Sequence, residues 1–146
     1  MKKLFIGIDP DVDKSGFCIL NDKMQIEKLT TLDLVDLFSE LTALQNNCAN
    51  NIIVFVEAGW NNKTNFHVKG IDNALKSAKI GGYVGANHEI GKQIIKFCKK
   101  TGIDVKEITP KSHKMDSADF KERTGYKGRT NQEMRDAYRI ILLGMQ

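Results

Sequence analysis

Four acidic residues occupy positions from which a metal-ion site could be built. Asp9 and Glu57 each end a short apolar run that is typical of a buried strand. Glu133 and Asp136 are three residues apart in a helical pattern, so both project from one face of that helix. Carboxylates gathered in one place repel one another and raise one another's pKa unless cations bind them. Oxygen ligands without His or Cys favour Mg²⁺ or Mn²⁺ over zinc.

Two of these acids also have ordinary structural explanations. Thr130 and Glu133 are spaced as a helix capping box, with Thr130 as the N-cap of the final helix. This role is compatible with metal binding by Glu133. In isolation, an aspartate before a proline, as in Asp9-Pro10, is typical of a turn.

The acids at positions 9, 11 and 13 are spaced like the first ligands of a calcium-binding EF-hand loop. Lys14 stands where that loop needs glycine, and Leu20 stands where it needs its closing glutamate. We therefore reject a calcium loop. The three histidines show no ligand spacing and are interpreted as surface or loop residues: His67, His88 and His113.

The acids need a scaffold of strands and helices to bring them together. The hydrophobic pattern predicts the order βββαβαβα, with strands at residues 4–8, 16–20, 24–31, 52–57 and 105–108 and helices at 32–45, about 70–101 and 130–143. Thr31 is the predicted N-cap of the first helix. Gly81-Gly82 is predicted to interrupt the second helix. The polar segment 111–130 is a candidate for disorder. If the first and fourth strands are neighbours, Asp9 and Glu57 meet at the sheet edge where α/β proteins usually bind ligands.

Size and composition indicate the class of protein. A chain of 146 residues with 41% hydrophobic and 27% charged residues predicts one domain over 1–146. The sequence contains neither a run of about 18 apolar residues nor a signal-peptide pattern, so we expect no membrane span, a cytoplasmic location in a bacterial or phage-infected cell, and reduced cysteines. Residues 1–57 carry five Lys against nine Asp or Glu, a net charge of −4, whereas 58–146 carry 17 Lys or Arg against nine, a net charge of +8. This split fits a polyanion-binding surface and also ordinary solvated helix faces.

Four groups of residues resemble motifs of the RuvC family of Holliday junction resolvases, members of the ribonuclease H-like superfamily. In chain order they are Ile6-Gly7-Ile8-Asp9-Pro10 with Ser15-Gly16-Phe17, Val54-Phe55-Val56-Glu57 with Trp60, Ile108-Thr109-Pro110 with Lys114, and Glu133-Met134-Arg135-Asp136-Ala137. Asp11 replaces the family's usual glycine after Asp-Pro. The segment before the terminal acids is shorter than in typical bacterial members, so the chain looks more like the compact phage-encoded relatives.

The resemblance implies a ribonuclease H-like α/β fold. Its mixed five-stranded sheet would contain an antiparallel three-strand meander and two parallel strands, with helices on its faces. The resemblance also implies two Mg²⁺ ions, for which Mn²⁺ can substitute, held by the acids Asp9, Glu57, Glu133 and Asp136. Lys114, or Lys127 as second choice, would assist catalysis. The implied DNA contacts are Trp60, Lys63, Lys111, Lys114, Lys127 and Arg129, although a lone tryptophan such as Trp60 is also typical of a core or interface.

The activity that the resemblance implies is resolution of four-way DNA junctions in recombination and repair. A crossover junction endonuclease makes paired symmetric incisions, which predicts a homodimer with two active sites and cuts that leave 5′-phosphate ends. Two alternatives remain: a broader branched-DNA or flap endonuclease of phage DNA processing, and an inactive junction-binding protein, which the four carboxylates disfavour. An actin-like or sugar-kinase ATPase is disfavoured because a second lobe and a glycine-rich phosphate loop are missing, so no nucleotide cofactor is expected.

Overall fold

The computed structural model describes residues 1–62 and 74–146, except for the side chains of 74–80. The five strands are β1 (Lys2–Asp9), β2 (Ser15–Asn21), β3 (Ile26–Leu32), β4 (Asn50–Glu57) and β5 (Asp104–Ile108). The helices of the described ranges are α1 (Leu34–Asn46), α2 (Ala74–Thr101), α3 (Ser117–Thr124) and α4 (Gln132–Gly144), and a 3₁₀ turn follows β4 at Gly59–Asn61.

The five strands form one mixed sheet in the order β3-β2-β1-β4-β5. β1 pairs antiparallel with β2, and β2 pairs antiparallel with β3. β4 lies parallel to both β1 and β5. The prediction of a three-strand meander joined to two parallel strands is therefore confirmed, with β1 at the centre as its apolar sequence requires.

The sheet separates two hydrophobic clusters because successive side chains of a strand point to opposite faces. Leu4, Ile6 and Ile8 of β1 are buried on the face that packs against α1 and α2. Phe5 of β1 and Phe55 of β4 belong to the opposite cluster, which α3 and α4 cover. Side chains at odd-numbered positions of β1 and β4 thus face α4.

Two glycines let α4 lie directly on the sheet. A Cβ atom at Gly7 of β1 would overlap the carbonyl of Ala137, and one at Gly16 of β2 would overlap the carbonyl of Glu133. Any side chain at either position would lift α4 away from β1 and β2. The glycines of the first motif therefore determine how close the acidic helix comes to Asp9.

The N-terminal caps of two helices differ from the prediction. α1 is capped by Asp33, whose side chain accepts from the backbone N–H of Asp36, because β3 continues to Leu32 and leaves Thr31 inside a strand. α4 is capped by Asn131, whose Oδ1 accepts from the N–H of Met134 at 2.9 Å. The predicted capping box with Thr130 as the N-cap is therefore wrong, because the cap lies one residue later.

Two further differences concern α2 and the polar segment 111–130. α2 runs without interruption through Gly81 and Gly82, because glycine inside a long helix costs only about 1 kcal/mol each and docking of the rest of the helix offsets it. The segment 111–130 contains α3, which Asp116 caps, Gly125 ends in the left-handed conformation, and buried Phe120 anchors. None of the helices within the described ranges has the length and apolarity of a membrane-crossing helix.

Candidate active site at the carboxyl ends of β1 and β4

Asp9 and Glu57 lie side by side at one edge of the sheet. They are the last residues of two neighbouring parallel strands, in which Ile8 is the register partner of Val56. Both are at odd-numbered positions and so face α4. The two carboxyl groups are close enough to share a hydrogen bond.

The surroundings of Asp9 disfavour its negative charge. Although solvent reaches part of the residue, protein atoms surround its carboxyl group closely, and this burial raises its pKa well above the ordinary value of 3.8. The hydrogen bond and the charge of Glu57 raise the pKa further, as does the charge of Asp136, while Lys114 lowers it. The site is therefore a cluster of carboxylates that needs positive charge to be fully ionised.

Lys114 supplies one positive charge to this cluster. Its ammonium group donates to Asp136 Oδ2 at 3.1 Å. Burial lowers the pKa of Lys114, but the charge of Asp136, the hydrogen bond to it and the charges of Asp9 and Glu57 outweigh that effect and raise the pKa. Lys114 therefore stays protonated at neutral pH and is attracted to all three acids.

Asp136 is held in place by its own helix. It is only 9% exposed, and Gln132, one turn earlier, donates to its Oδ1 at 2.8 Å. Gln132 and Arg135 both donate to the carbonyl of Met115, and Arg135 also donates to the Thr130 hydroxyl. These bonds attach the N-terminal end of α4 to the segment that carries Lys114.

Asp11 shapes the loop after β1. Its Oδ1 accepts from the N–H groups of Asp13 and Lys14, at 2.8 and 3.3 Å, so this carboxylate closes a turn. The N–H of Asp11 donates to the buried Ser15 hydroxyl at 3.0 Å. A residue that replaces the usual glycine of the family motif therefore supports the turn by hydrogen bonding.

α2 forms the opposite wall of a cleft of about 330 Å³ above the acids. The lining residues are Asp9, Pro10, Glu57, Gly59, Trp60, Val84, Asn87, His88 and Lys114. Asn87 Oδ1 accepts from the N–H of Val12 at 2.8 Å, which joins α2 to the loop after β1. His88 is partly exposed, as the interpretation of it as a surface or loop residue allows, but it lies on α2 and lines this cleft, which that interpretation did not predict. The spacing of Val84, Asn87, His88 and Gly91 on one helical face was the available signal.

Trp60 packs between the loop after β1 and α2. Its ring centroid lies 6.0 Å from that of His88 in an edge-on arrangement, and the ammonium of Lys92 lies 5.7 Å from the ring centroid. Trp60 is half-buried against the core on the α2 face of the sheet. Burial and the charge of Lys92 lower the pKa of His88, against the opposing influence of Glu57.

The remaining residues predicted for the site do not all lie beside the acids. Lys111 and Lys114 line a smaller cleft together with Glu57 and Asp136. Glu133, in the first turn of α4, is not a lining residue of either cleft. Lys127 and Arg129 are exposed in the loop between α3 and α4. Lys63 lies outside the described residues.

The acids at this site offer carboxylate oxygens, the type of ligand that hard divalent cations such as Mg²⁺ prefer. The charges of Glu57 and Asp136 both lie near enough to Asp9 to raise its pKa, and Lys114 pairs with Asp136 at 3.1 Å. As arranged, no three His, Cys, Asp or Glu side chains in residues 1–62 and 81–146 form a group that could hold an ion. Binding of an ion would therefore require these side chains to rearrange.

Comparison with known proteins identifies the fold. No family model matches the sequence, and no curated protein matches it. Solved structures do match, two of them over 96% of this chain. "T. thermophilus RuvC in complex with Holliday junction substrate" is 13% identical, with a TM-score of 0.55 over 91% of that chain, and "Thermus thermophilus RuvC structure" is 14% identical, with a TM-score of 0.53 over 92%. The chain has the RuvC fold. The resemblance to RuvC that the four motifs predicted is thus confirmed at the level of structure.

Proposed function

We propose that the chain is a metal-dependent endonuclease that resolves four-way DNA junctions, with residues 1–146 acting as one RuvC-like nuclease domain. The observation that carries the proposal is the convergence of Asp9, Glu57 and Asp136 at the sheet edge of a RuvC fold. A structural neighbour is a RuvC in complex with Holliday junction substrate, which supports the same class of DNA for this chain.

In this proposal Asp9, Glu57 and Asp136 hold two divalent cations, with Mg²⁺ expected and Mn²⁺ able to substitute. Glu133 completes the ligand set from the first turn of α4. Such ions, when bound, supply an activated water and stabilise the leaving 3′ oxygen. Gln132 holds Asp136 in one orientation, so this ligand is positioned before any ion arrives.

Lys114 is the basic residue that we assign to catalysis, ahead of Lys127. Its ammonium group lies at the acids themselves, whereas Lys127 is exposed in a loop. Lys114 also lines the cleft of the acids, where its ammonium group could donate to a phosphate oxygen of bound DNA. Its raised pKa keeps this donor charged at neutral pH.

DNA contacts in this proposal come from Trp60, Lys63, Lys111, Lys127 and Arg129. Trp60 presents a ring at the cleft on which an unpaired base can stack, a contact worth about 1–3 kcal/mol in single-strand-binding proteins. The lysines and the arginine bind phosphates, which gives affinity without reading sequence. Paired incisions require two sites, so we propose that the active form is a homodimer.

The test is cleavage of a labelled mobile four-way junction beside a matched linear duplex, a flap and a fork. Wild-type protein, Asp9→Asn and the control Asp13→Asn are compared in Mg²⁺, Mn²⁺ and EDTA. Asp13 is an exposed acid of the adjacent loop, so it matches the change in charge without touching the site. We expect symmetric paired nicks on the junction with either metal, none in EDTA, and loss of cleavage in Asp9→Asn alone.

Three results would overturn this proposal. Equal cutting of flaps and forks would indicate a general branched-DNA endonuclease. Tight junction binding without cutting would indicate a binding protein. A sedimentation profile that shows only monomers at micromolar concentration, with and without junction DNA, would contradict the homodimer.

A further inference from the structure

The C-terminal half of α2 carries a row of four exposed lysines. Lys92, Lys96, Lys99 and Lys100, called here the basic stripe, are spaced i, i+4, i+7 and i+8 and so lie on one face of the helix. At 1.5 Å per residue, the stripe extends about 12 Å along the helix axis.

The charges of the basic stripe have little internal compensation. A groove of about 320 Å³ runs beside it, lined by the four lysines, Ile95 and Glu107. Glu107 on β5 is therefore the lone acid among the lining residues. Among residues 1–62 and 81–146, no ion pair within 4.0 Å involves any of these four lysines. Such a surface favours an anionic partner that can meet several ammonium groups at once.

The basic stripe is continuous with the candidate active site. Its first member, Lys92, holds its ammonium 5.7 Å from the ring centroid of Trp60. The same ring lines the cleft that contains Asp9 and Glu57. A polyanion that enters the cleft can therefore continue from Trp60 onto Lys92 and along α2.

We infer that the basic stripe binds the phosphate backbone of a duplex arm as it leaves the active site. This inference rests on the proposed function. The basic stripe is about 12 Å long, which matches three to four nucleotides of one strand at 3.4 Å each. Lysine ammonium groups act on phosphates as point charges, so the contact contributes affinity equally for any sequence.

The test measures how junction binding depends on salt. The triple variant Lys96→Gln, Lys99→Gln and Lys100→Gln is compared with wild-type protein and with the control triple Lys3→Gln, Lys23→Gln and Lys121→Gln. The control removes the same charge from exposed positions outside the stripe. Binding of a labelled junction is followed by fluorescence anisotropy in EDTA between 50 and 200 mM salt.

Each lost phosphate contact should reduce the slope of log K against log [salt] by about 0.9. If the stripe variant lacks two to three of these contacts, raising the salt from 50 to 200 mM should weaken junction binding by wild-type protein about 10- to 40-fold more than binding by the variant. The control should keep the wild-type slope. The nicking rate at saturating junction should be unchanged in the stripe variant, because these three lysines do not line the cleft of the acids.

An unchanged slope of log K against log [salt] in the stripe variant overturns the inference. An equal reduction of this slope in the control variant also overturns it, because it would indicate general charge attraction. A lower nicking rate at saturating DNA would also contradict it. Circular dichroism melts verify that both variants fold. If wild-type protein binds junctions without cutting them but shows the slope difference, the proposed nuclease function fails while the duplex-binding stripe is supported.

Discussion

Replacement of Gly91 by alanine tests the contact between α2 and the active site. A Cβ at this position would lie 2.7 Å from Cζ3 of Trp60 and 3.1 Å from Cγ of Pro10. An overlap of this size in a packed region costs about 1–3 kcal/mol, because the ring or the helix must shift. Alanine recovers about 1 kcal/mol through its higher helix propensity, so the net destabilisation is about 0–2 kcal/mol.

Gly85→Ala is the matched control on the same helix. A Cβ there meets no atom within 4 Å, so the helix-propensity gain of about 1 kcal/mol acts alone and should raise the Tm by about 2–4 °C. The free energies of unfolding of the two variants should therefore differ by about 1–3 kcal/mol, with Gly91→Ala the lower.

Urea unfolding measures these free energies, and junction nicking measures the effect on the site. Because Pro10 directly follows Asp9, we expect Gly91→Ala to lower the nicking rate and Gly85→Ala to preserve it. Stabilisation of Gly91→Ala by as much as Gly85→Ala would refute the packing argument, since it would show that α2 does not press against Trp60.

Two further predictions concern charge and capping. Asp9 has a folded-state pKa above its unfolded value, so its ionisation costs stability as pH rises from about 4, the unfolded value, through the folded pKa. Asp9→Asn should therefore be more stable than wild type at pH 7 in EDTA, and this gain should vanish at pH 3.5 in thermal melts; a gain of equal size at both pH values would contradict the assignment. Asn131→Ala should cost about 0.5–2 kcal/mol in urea unfolding through loss of the α4 cap, and an unchanged free energy of unfolding would contradict Asn131 as the cap.

The convergence of Asp9 and Glu57 was predictable from the sequence. Each follows an apolar run that is long enough for a strand buried on both faces, and the carboxyl ends of parallel strands meet at one edge. The place of Asp136 followed from its helical pattern, in which the apolar stripe must dock on the sheet. These conclusions depend on periodicity, which a single sequence records directly.

The contributions of His88 and of α3 were not predictable in the same way. His88 belongs to the site because Gly91 lets α2 approach Trp60. The spacing along α2 puts His88 and Gly91 on one helical face, but what that face contacts depends on tertiary docking. α3 is strongly polar, and only Phe120 among its residues is buried, so no apolar periodicity marks it. Its helix signals are the caps, Asp116 and Gly125, whose effects are small and local.

The approach of α4 to Gly7 and Gly16 has a consequence for the order of assembly during synthesis. Asp9, Glu57 and Asp136 come from the beginning, the middle and the last part of the chain, so a growing chain can form the sheet meander long before it possesses its third acid. The carboxylates can meet only after α4 has been made and has settled on the two glycines. For the proposed nuclease, we therefore expect nascent chains and fragments that end before α4 to be unable to cut DNA.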